Sequence, residues 1–327
     1  WILDDVTPLH QLTERIAQSA LHLSEPGDAY RVNNIAGGDD DEGGITPEPP
    51  PGDALIHYYL AKEPDDEVSL EILDASDQVV RSYTSDEEKA KEGAFEKLVK
   101  ESGTNRVAWN LTYREPDKPE GIITFGYGGG VKAPPGTYRV RLTAGGGTQT
   151  QSFQVLADPR LKDVTQQDFD EQFRFAIQIR DTMDELYDSI RRLRSIREQV
   201  TTVASRSKEA GYGDTVQDAA DAVQKKLEET EQVMVQTKNQ SNQDPFRFPP
   251  RLVNQFVALY EYVTGVDGYR AGGPEGKPTA GAYQRFEDLK VEWSDAKAKL
   301  QTVLDEDIAA FNQTLTEEGV PPIILKR

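Results

Sequence analysis

The sequence predicts an α+β protein of more than one domain, in which an antiparallel β-sandwich is followed by an elongated antiparallel helical bundle. Two observations carry this prediction. The spacing of apolar residues changes at about residue 158, from every second position to every third or fourth, as expected where strands give way to helices. The chain also has 327 residues, enough for two or three domains that each bury a core.

Half-buried strands are predicted over residues 54–157. Apolar and polar residues alternate in several short runs, and turns containing Gly, Pro or Asp separate these runs. About six or seven short strands in roughly 100 residues are typical of a sandwich of the immunoglobulin or fibronectin type III kind. We expect two interruptions, a charged helical insertion over 85–100 and a mobile Gly-rich loop over 121–130, whose residues 126–130 form a hairpin tip.

Four helices are predicted within residues 158–327. Thr165 and Asp168 have the spacing of a capping box, so the first helix should begin at Thr165 and run to about Ser207. Asp214 marks the start of the second helix, and the third and fourth helices carry apolar stripes over 252–263 and 283–315. Apolar stripes of this length predict helices that pack against one another in a bundle.

Residues 1–35 are too few to form a domain of their own. They contain two β-like patches, and an isolated hairpin is only marginally stable in water. We therefore expect their large apolar side chains to contact another domain or another chain. The candidate partner-binding residues are Trp1, Ile2, Leu3, Leu21 and Leu23. Because the chain opens at Trp1 with no Met, we also expect a larger N-terminal part to precede it.

The composition excludes several classes of partner. The chain has 57 acidic and 37 basic residues and a formal charge of −20, which repels a phosphate backbone, so no nucleic-acid partner is expected. No run approaches the roughly 20 apolar residues that span a bilayer, which predicts a protein that does not cross a membrane. The absence of Cys excludes disulfides and thiolate metal sites. No residue pattern predicts a cofactor.

Two acidic groups are the candidates for chemistry. Asp4 and Asp5 are adjacent carboxylates beside an apolar patch, and glycoside hydrolysis uses two carboxylates. Neighbouring residues of a strand point to opposite faces, so a catalytic role for this pair requires a bulge, and a turn or capping role is the alternative. Asp39, Asp40, Asp41 and Glu42 offer the oxygen ligands that calcium prefers, but without the ligand spacing of an EF-hand. They lie in a segment, 36–53, whose composition predicts a linker.

Three other features have structural explanations that we favour. Arginines 191, 192, 194 and 197 form a basic cluster, but Asp188 precedes Arg192 by four residues and Glu198 follows Arg194 by four, as on a solvated helix face. The loop 126–130 resembles a phosphate-binding loop, yet no Lys-Ser or Lys-Thr pair follows it. Trp109, Trp293 and Tyr138 have the spacing of core residues.

An ordered set of short strings resembles a known family. The strings are residues 1–9 (WILDDVTPL), 70–74 with 79–81, 105–111, 135–142 and 158–160. Together they are similar to the C-terminal region of large bacterial secreted proteins with BNR/Asp-box, sortilin-like β-propellers, which are often labelled glycosyl hydrolases. The resemblance covers almost the whole chain. Two departures are Asp77, where a turn Gly is usual, and Asn110, where Asp is usual.

The resemblance implies a domain order. Residues 1–35 would be the terminal strands of the propeller, a propeller remnant, followed by the linker at 36–53, the immunoglobulin-like sandwich at 54–157 and the helical bundle at 158–327. It also implies a secreted, periplasmic or cell-surface protein.

On this basis we expect a non-catalytic accessory module that binds protein or glycan partners, including the propeller portion of the same protein. One alternative is the C-terminal part of a glycoside hydrolase whose active site lies mainly in the propeller, with Asp4 or Asp5 as its acid or base. The other alternative is an oligomerisation element built on the helices.

Overall fold

The computed structural model describes most of the chain. The described ranges are residues 7–32, 52–91, 95–126, 129–212, 214–241, 243–265 and 275–324. The protein is an α+β protein, as predicted, and it divides into two compact units. The first unit comprises residues 1–115, 129–174 and 269–277, and the second comprises 116–128, 175–268 and 278–327.

The first unit contains two β-sheets. Its strands are β1 (Leu21–Leu23), β2 (Ala29–Arg31), β3 (Ala54–Leu60), β4 (Ser69–Leu73), β5 (Val79–Thr84), β6 (Glu96–Lys97), β7 (Gly103–Trp109), β8 (Gly136–Ala144) and β9 (Gly147–Ala157). One sheet has the order β1-β3-β7 and the other the order β2-β9-β8-β4-β5-β6. Most pairs are antiparallel, but β2–β9 and β5–β6 are parallel, so the second sheet is mixed. The purely antiparallel prediction is therefore wrong for these two edge strands. Both reach their partners through long connections instead of hairpins.

The alternation of apolar residues places one core between the strands of the first unit. The predicted face of β3, with Ala54, Ile56, Tyr58 and Leu60, is buried at every position. Side chains from both sheets contribute to the same apolar cluster. Trp109 and Tyr138 lie within this cluster with their ring centroids 5.2 Å apart, as their spacing predicted.

The prediction that Leu21 and Leu23 offer a surface to a partner is wrong. Leu23 is 0% exposed in the core of the first unit, and Leu21 packs against the same core. The strand β1 pairs with β3 in antiparallel register, and the Gln149 side chain bonds the backbone of both leucines at 3.0 and 2.8 Å. The sequence argument expected these side chains to contact another domain or another chain, and the structure gives β1 a partner strand within this chain, β3, which begins at residue 54.

Three short helices accompany the strands. The helices α1 (Thr7–Gln11) and α2 (Glu14–Ala17) precede β1, and the sequence pattern did not predict them. In the region where a charged helical insertion was predicted over 85–100, α3 (Glu87–Lys91) is a single short helix and β6 follows it.

Long helices make up most of the second unit. They are α4 (Gln166–Glu209), α5 (Asp214–Met234), α6 (Leu252–Thr264), α7 (Ala280–Thr302) and α8 (Ile308–Glu317). Residues 166–174 of α4 cluster with the first unit, and the rest of α4 belongs to the second. A π-helical turn at Val303–Asp307 interrupts the long final helix that was predicted. Among the described residues, no helix is long and apolar enough to cross a membrane.

The capping box predicted at the start of α4 is confirmed. The Asp168 carboxylate accepts a hydrogen bond from the Thr165 backbone N–H at 2.9 Å, and the Asp168 N–H donates to the Thr165 hydroxyl at 3.3 Å. Reciprocal bonds of this kind satisfy two of the N–H groups that a helix start leaves free. The local sequence therefore fixes the first residue of a helix that is 44 residues long.

We expect Leu23→Ala to lower the free energy of unfolding by about 2–5 kcal/mol, because the substitution leaves a cavity in a filled core. Leu9→Ala is the matched control, since Leu9 is 53% exposed, and it should change that free energy by less than about 0.5 kcal/mol. Urea denaturation of both variants measures the difference. Equal, small effects would show that β1 does not belong to the core of the first unit.

Candidate functional site

The second unit carries a surface groove of about 630 Å³ between the end of α4 and the segment that follows α8. One wall is a stripe of α4 that includes Glu198, Gln199, Val203, Arg206, Ser207 and Ala210, and the other is the segment Val320–Ile324. Residues spaced by three, four and eight positions share one face of a helix, so α4 presents them as a continuous surface. The volume is within the roughly 300–1,000 Å³ typical of ligand sites.

The end of α4 shapes one part of the groove. Gly211 has a φ of 80°, a left-handed conformation that glycine adopts without strain and that commonly follows the end of a helix. The Tyr212 backbone N–H donates to the Ser207 carbonyl at 3.0 Å. This turn leaves the Tyr212 ring exposed in the lining of the groove.

The opposite wall is an extended segment that side-chain amides hold in place. The Ile323 N–H donates to Asn312 Oδ1 at 2.8 Å, and Asn312 Nδ2 donates to the Ile323 carbonyl at 3.2 Å. Gln199 Oε1 on α4 accepts the Ile324 N–H at 3.2 Å. The Ile323 side chain is buried while the Ile324 side chain is exposed. One isoleucine thus anchors the segment, and the next presents apolar surface beside the groove.

The groove combines charge and apolar surface. Glu198 and Arg206 both line it and are both exposed, and neither has an ion-pair partner in the part of the chain that the structure describes. Thr202, which is exposed, and Val203 lie between them on α4 and also line the groove. The Ser207 hydroxyl is buried in the same helix face and has no hydrogen-bond partner within the described ranges. An arrangement of this kind can bind a ligand that carries both apolar and polar groups.

The arginine cluster on α4 is part of the internal structure of the second unit. Glu231 on α5 is buried, and its carboxylate accepts from Arg194 at 2.7 Å and from Arg197 at 2.6 Å. Arg191 pairs with Asp117 and Asp188. Arg194 therefore binds Glu231 instead of Glu198, the partner that its spacing suggested. The sequence did indicate that Glu231 is buried, because this residue has the spacing of the apolar stripe of α5.

The segment 116–126, which includes the first part of the predicted Gly-rich loop, follows an antiparallel bridge between Thr112 and Lys132. It belongs to the second unit, where the Asp117 N–H donates to Asp184 on α4 at 2.8 Å and Asn239 donates to the Ile123 carbonyl at 3.1 Å. Phe125 stacks against Phe246 with ring centroids 4.7 Å apart. These partners are far away in sequence, so the local Gly content alone indicated only a turn.

The first unit contains a buried polar cluster around Arg31. The guanidinium binds Glu275 at 2.7 Å, Gln172 Oε1 at 2.9 Å and the Ala133 carbonyl at 3.1 Å. Lys132 Nζ lies 3.4 Å from Glu275, and burial lowers the pKa of Lys132 although Glu275 and its hydrogen bond oppose this shift. Each charge has a partner, so the cluster stabilises the unit. The sequence analysis did not single out Arg31.

Most of the residues predicted to carry chemistry lie outside the described residues. These are Trp1, Ile2, Leu3, Asp4, Asp5, Asp39, Asp40, Asp41 and Glu42. Trp109, Tyr138 and Trp293 are buried, as expected of core residues. In the described ranges, His, Asp and Glu side chains form no group of three or more that could hold a metal ion.

No protein-family model matches the chain. A search of curated proteins likewise returned no match.

We expect Glu275→Ala to lower the free energy of unfolding by about 3–5 kcal/mol, because it leaves the buried Arg31 guanidinium without its carboxylate. Glu287→Ala is the control, since Glu287 forms an exposed ion pair with Lys290, and it should cost at most about 1 kcal/mol. Chemical denaturation of the full chain measures both changes. If the two variants unfold alike, the buried cluster does not stabilise the first unit.

Proposed function

We propose that the chain is a non-catalytic interaction module from the C-terminal region of a secreted or cell-surface BNR/Asp-box, sortilin-like propeller protein. In this proposal the first unit is an immunoglobulin-like sandwich and the second a helical bundle. The module binds an extended segment of a protein partner in the groove between α4 and Val320–Ile324. That groove is the observation that carries the proposal.

The shape and lining of the groove favour a polypeptide as ligand. One wall is a helix and the other is a segment without regular secondary structure that contains two prolines. The apolar surface that lines it, including Val203 and Pro322, suits aliphatic side chains. Ligand sites in proteins are commonly apolar, with a few polar groups that fix orientation.

The groove is also formed before any ligand arrives. Asn312 and Gln199 fix the backbone of the extended wall with three hydrogen bonds, and buried Ile323 anchors it. A binding surface that is already ordered loses less conformational entropy on binding, which favours affinity.

Backbone geometry at Asp77 supports the proposed family. Asp77 stands where the family usually has a turn glycine, and its φ is 63°, in the left-handed region that favours glycine. The Asp77 N–H donates to the Asp74 carbonyl at 3.2 Å, and Asp77 pairs with Arg139 at 2.5 Å. Aspartate tolerates this conformation better than most residues. The departure from the family pattern thus occurs at a position whose backbone fits that pattern.

The two alternatives remain distinct from this proposal. A glycoside hydrolase would need Asp4 or Asp5 in a catalytic role, and turnover of glycans by the chain that is lost in Asp4→Asn or Asp5→Asn would support it. An oligomerisation element would give a molecular mass in light scattering that rises with protein concentration.

We expect Val203→Arg to abolish peptide binding, because the arginine side chain fills the middle of the groove. An array of capped synthetic hexapeptides of varied sequence is the probe, and binding by the full chain should fall at least about tenfold in the variant. Val291→Arg is the matched control, since Val291 is 63% exposed on α7 of the same unit and does not line the groove. Circular dichroism verifies that both variants are folded.

Two results would contradict the proposal. One is peptide binding that Val203→Arg and Val291→Arg leave equally intact. The other is an array on which the wild-type chain binds no peptide while it binds immobilised glycans.

A further inference from the structure

The three-stranded sheet of the first unit carries a histidine whose ring has an unpartnered nitrogen. His22 is the middle residue of β1, so its side chain points away from the core that Leu21 and Leu23 contact. Its Nε2 atom is nevertheless buried and has no hydrogen-bond partner among the described residues. A neutral imidazole can leave one nitrogen as an unused acceptor. A protonated imidazole has an N–H at both nitrogens, so one charged N–H would here be buried without an acceptor.

The groups around His22 do not favour a positive charge. From α2, the Arg15 guanidinium is close enough to repel an imidazolium. On β3, Tyr59 is the direct partner of His22, and His57 lies two residues away on the same face of the sheet. The side chains of β9 that bond the backbone of β1 are uncharged glutamines. In the described ranges, no carboxylate forms an ion pair with His22.

The pKa of His22 makes the pairing of β1 depend on pH. Burial, and after it the positive charge of Arg15, lowers this pKa below its ordinary value of 6.5. The unfolded segment therefore binds a proton at His22 more readily than the folded segment does. The stability that neutral His22 contributes is complete above the ordinary pKa, and it is lost as the pH falls from there through the lower pKa of the folded chain.

The segment that contains His22 is attached to the sheet independently of β2. Gln11 of α1 and the backbone of Glu25 exchange two hydrogen bonds of 2.8 Å, so residues 7–25 form one piece. The strand of this piece, β1, pairs with β3 over three residues. The buried partners of Arg31 hold β2 separately. Since short elements with few partners open at a lower free energy than a whole domain, we expect residues 7–25 to open locally.

We propose that the pairing of β1 with β3 is an acid-sensitive switch, in which protonation of His22 releases residues 7–25 while β2 stays attached. Release exposes the apolar side chains of Leu21 and Leu23, which are packed in the closed form. The first unit therefore presents this apolar surface to a partner only in acid. The switch goes beyond the proposed function, because it does not involve the groove of the second unit.

Hydrogen exchange of the full chain, followed by NMR, measures the opening. The Leu23 amide donates to Gln149 Oε1 at 2.8 Å. The Ser24 amide donates to the His57 carbonyl at 3.0 Å. Both amides should exchange faster than those of β8, which require global unfolding. After correction for intrinsic exchange, their opening equilibrium constants should rise at least about threefold between about pH 7.5 and about pH 5.

Matched variants assign the rise to one side chain. The chain has three histidines, and each is replaced by glutamine in turn. His22→Gln removes the group that gains the charge, so it should abolish the rise in opening. His10→Gln and His57→Gln are the controls and should retain it. Arg15→Gln should reduce the rise, because it removes a nearby positive charge.

An NMR titration of the His22 imidazole in the wild-type chain completes the test without any substitution. Its measured pKa should lie below 6.5. A measured pKa at or above that value would contradict the switch, as would opening constants that acid leaves unchanged. A rise that His22→Gln retains, or amides of β1 that exchange only together with those of β8, would also overturn it.

Discussion

The first unit depends on the burial of one guanidinium group. Arg31 is the last residue of the short edge strand β2. Its guanidinium group binds Glu275, Gln172 of α4 and the Ala133 carbonyl, which precedes β8. The Phe169 ring lies 5.0 Å below it. An unpaired charge in this environment would cost several kcal/mol, so the fold must supply every one of these partners together. The ion pair and the hydrogen bonds of Arg31 therefore fix β2, the first turns of α4 and Glu275 relative to one another.

The second unit also contains a buried charged group with several partners, but here the buried group is an anion. The buried carboxylate of Glu231 on α5 is neutralised by Arg194 and Arg197 of α4, and Arg194 also donates to the Glu120 carbonyl at 2.9 Å. These bonds align α4 with α5 and secure the 116–126 segment beside them. The wall of the groove that α4 supplies begins at Glu198, the residue after Arg197. These ion pairs therefore fix the helix that supplies this wall.

Local patterns predicted the elements whose causes are local. The capping box at Thr165 and Asp168 fixed the start of α4, and the alternation from Ala54 to Leu60 fixed the buried face of β3. Contacts between residues far apart in sequence could not be predicted. The sequence around a strand edge or a charged residue does not indicate which distant residue pairs with it. This explains why Leu23 was assigned to a partner surface and why Arg31 was missed. The groove was missed because its second wall is held by hydrogen bonds such as those between Asn312 and Ile323, which no local sequence pattern encodes.

The proposed function requires that a partner binds in the groove, and methyl NMR tests this requirement most directly. In a full chain labelled at valine and isoleucine methyl groups, a hexapeptide selected on the array should shift the signals of Val203, Val320 and Ile324 as it is titrated. The signal of Val291, on the exposed face of α7, should not move. Saturating shifts at the groove methyls alone are the predicted result. Unchanged groove methyls, with shifts confined to other parts of the chain, would contradict the account.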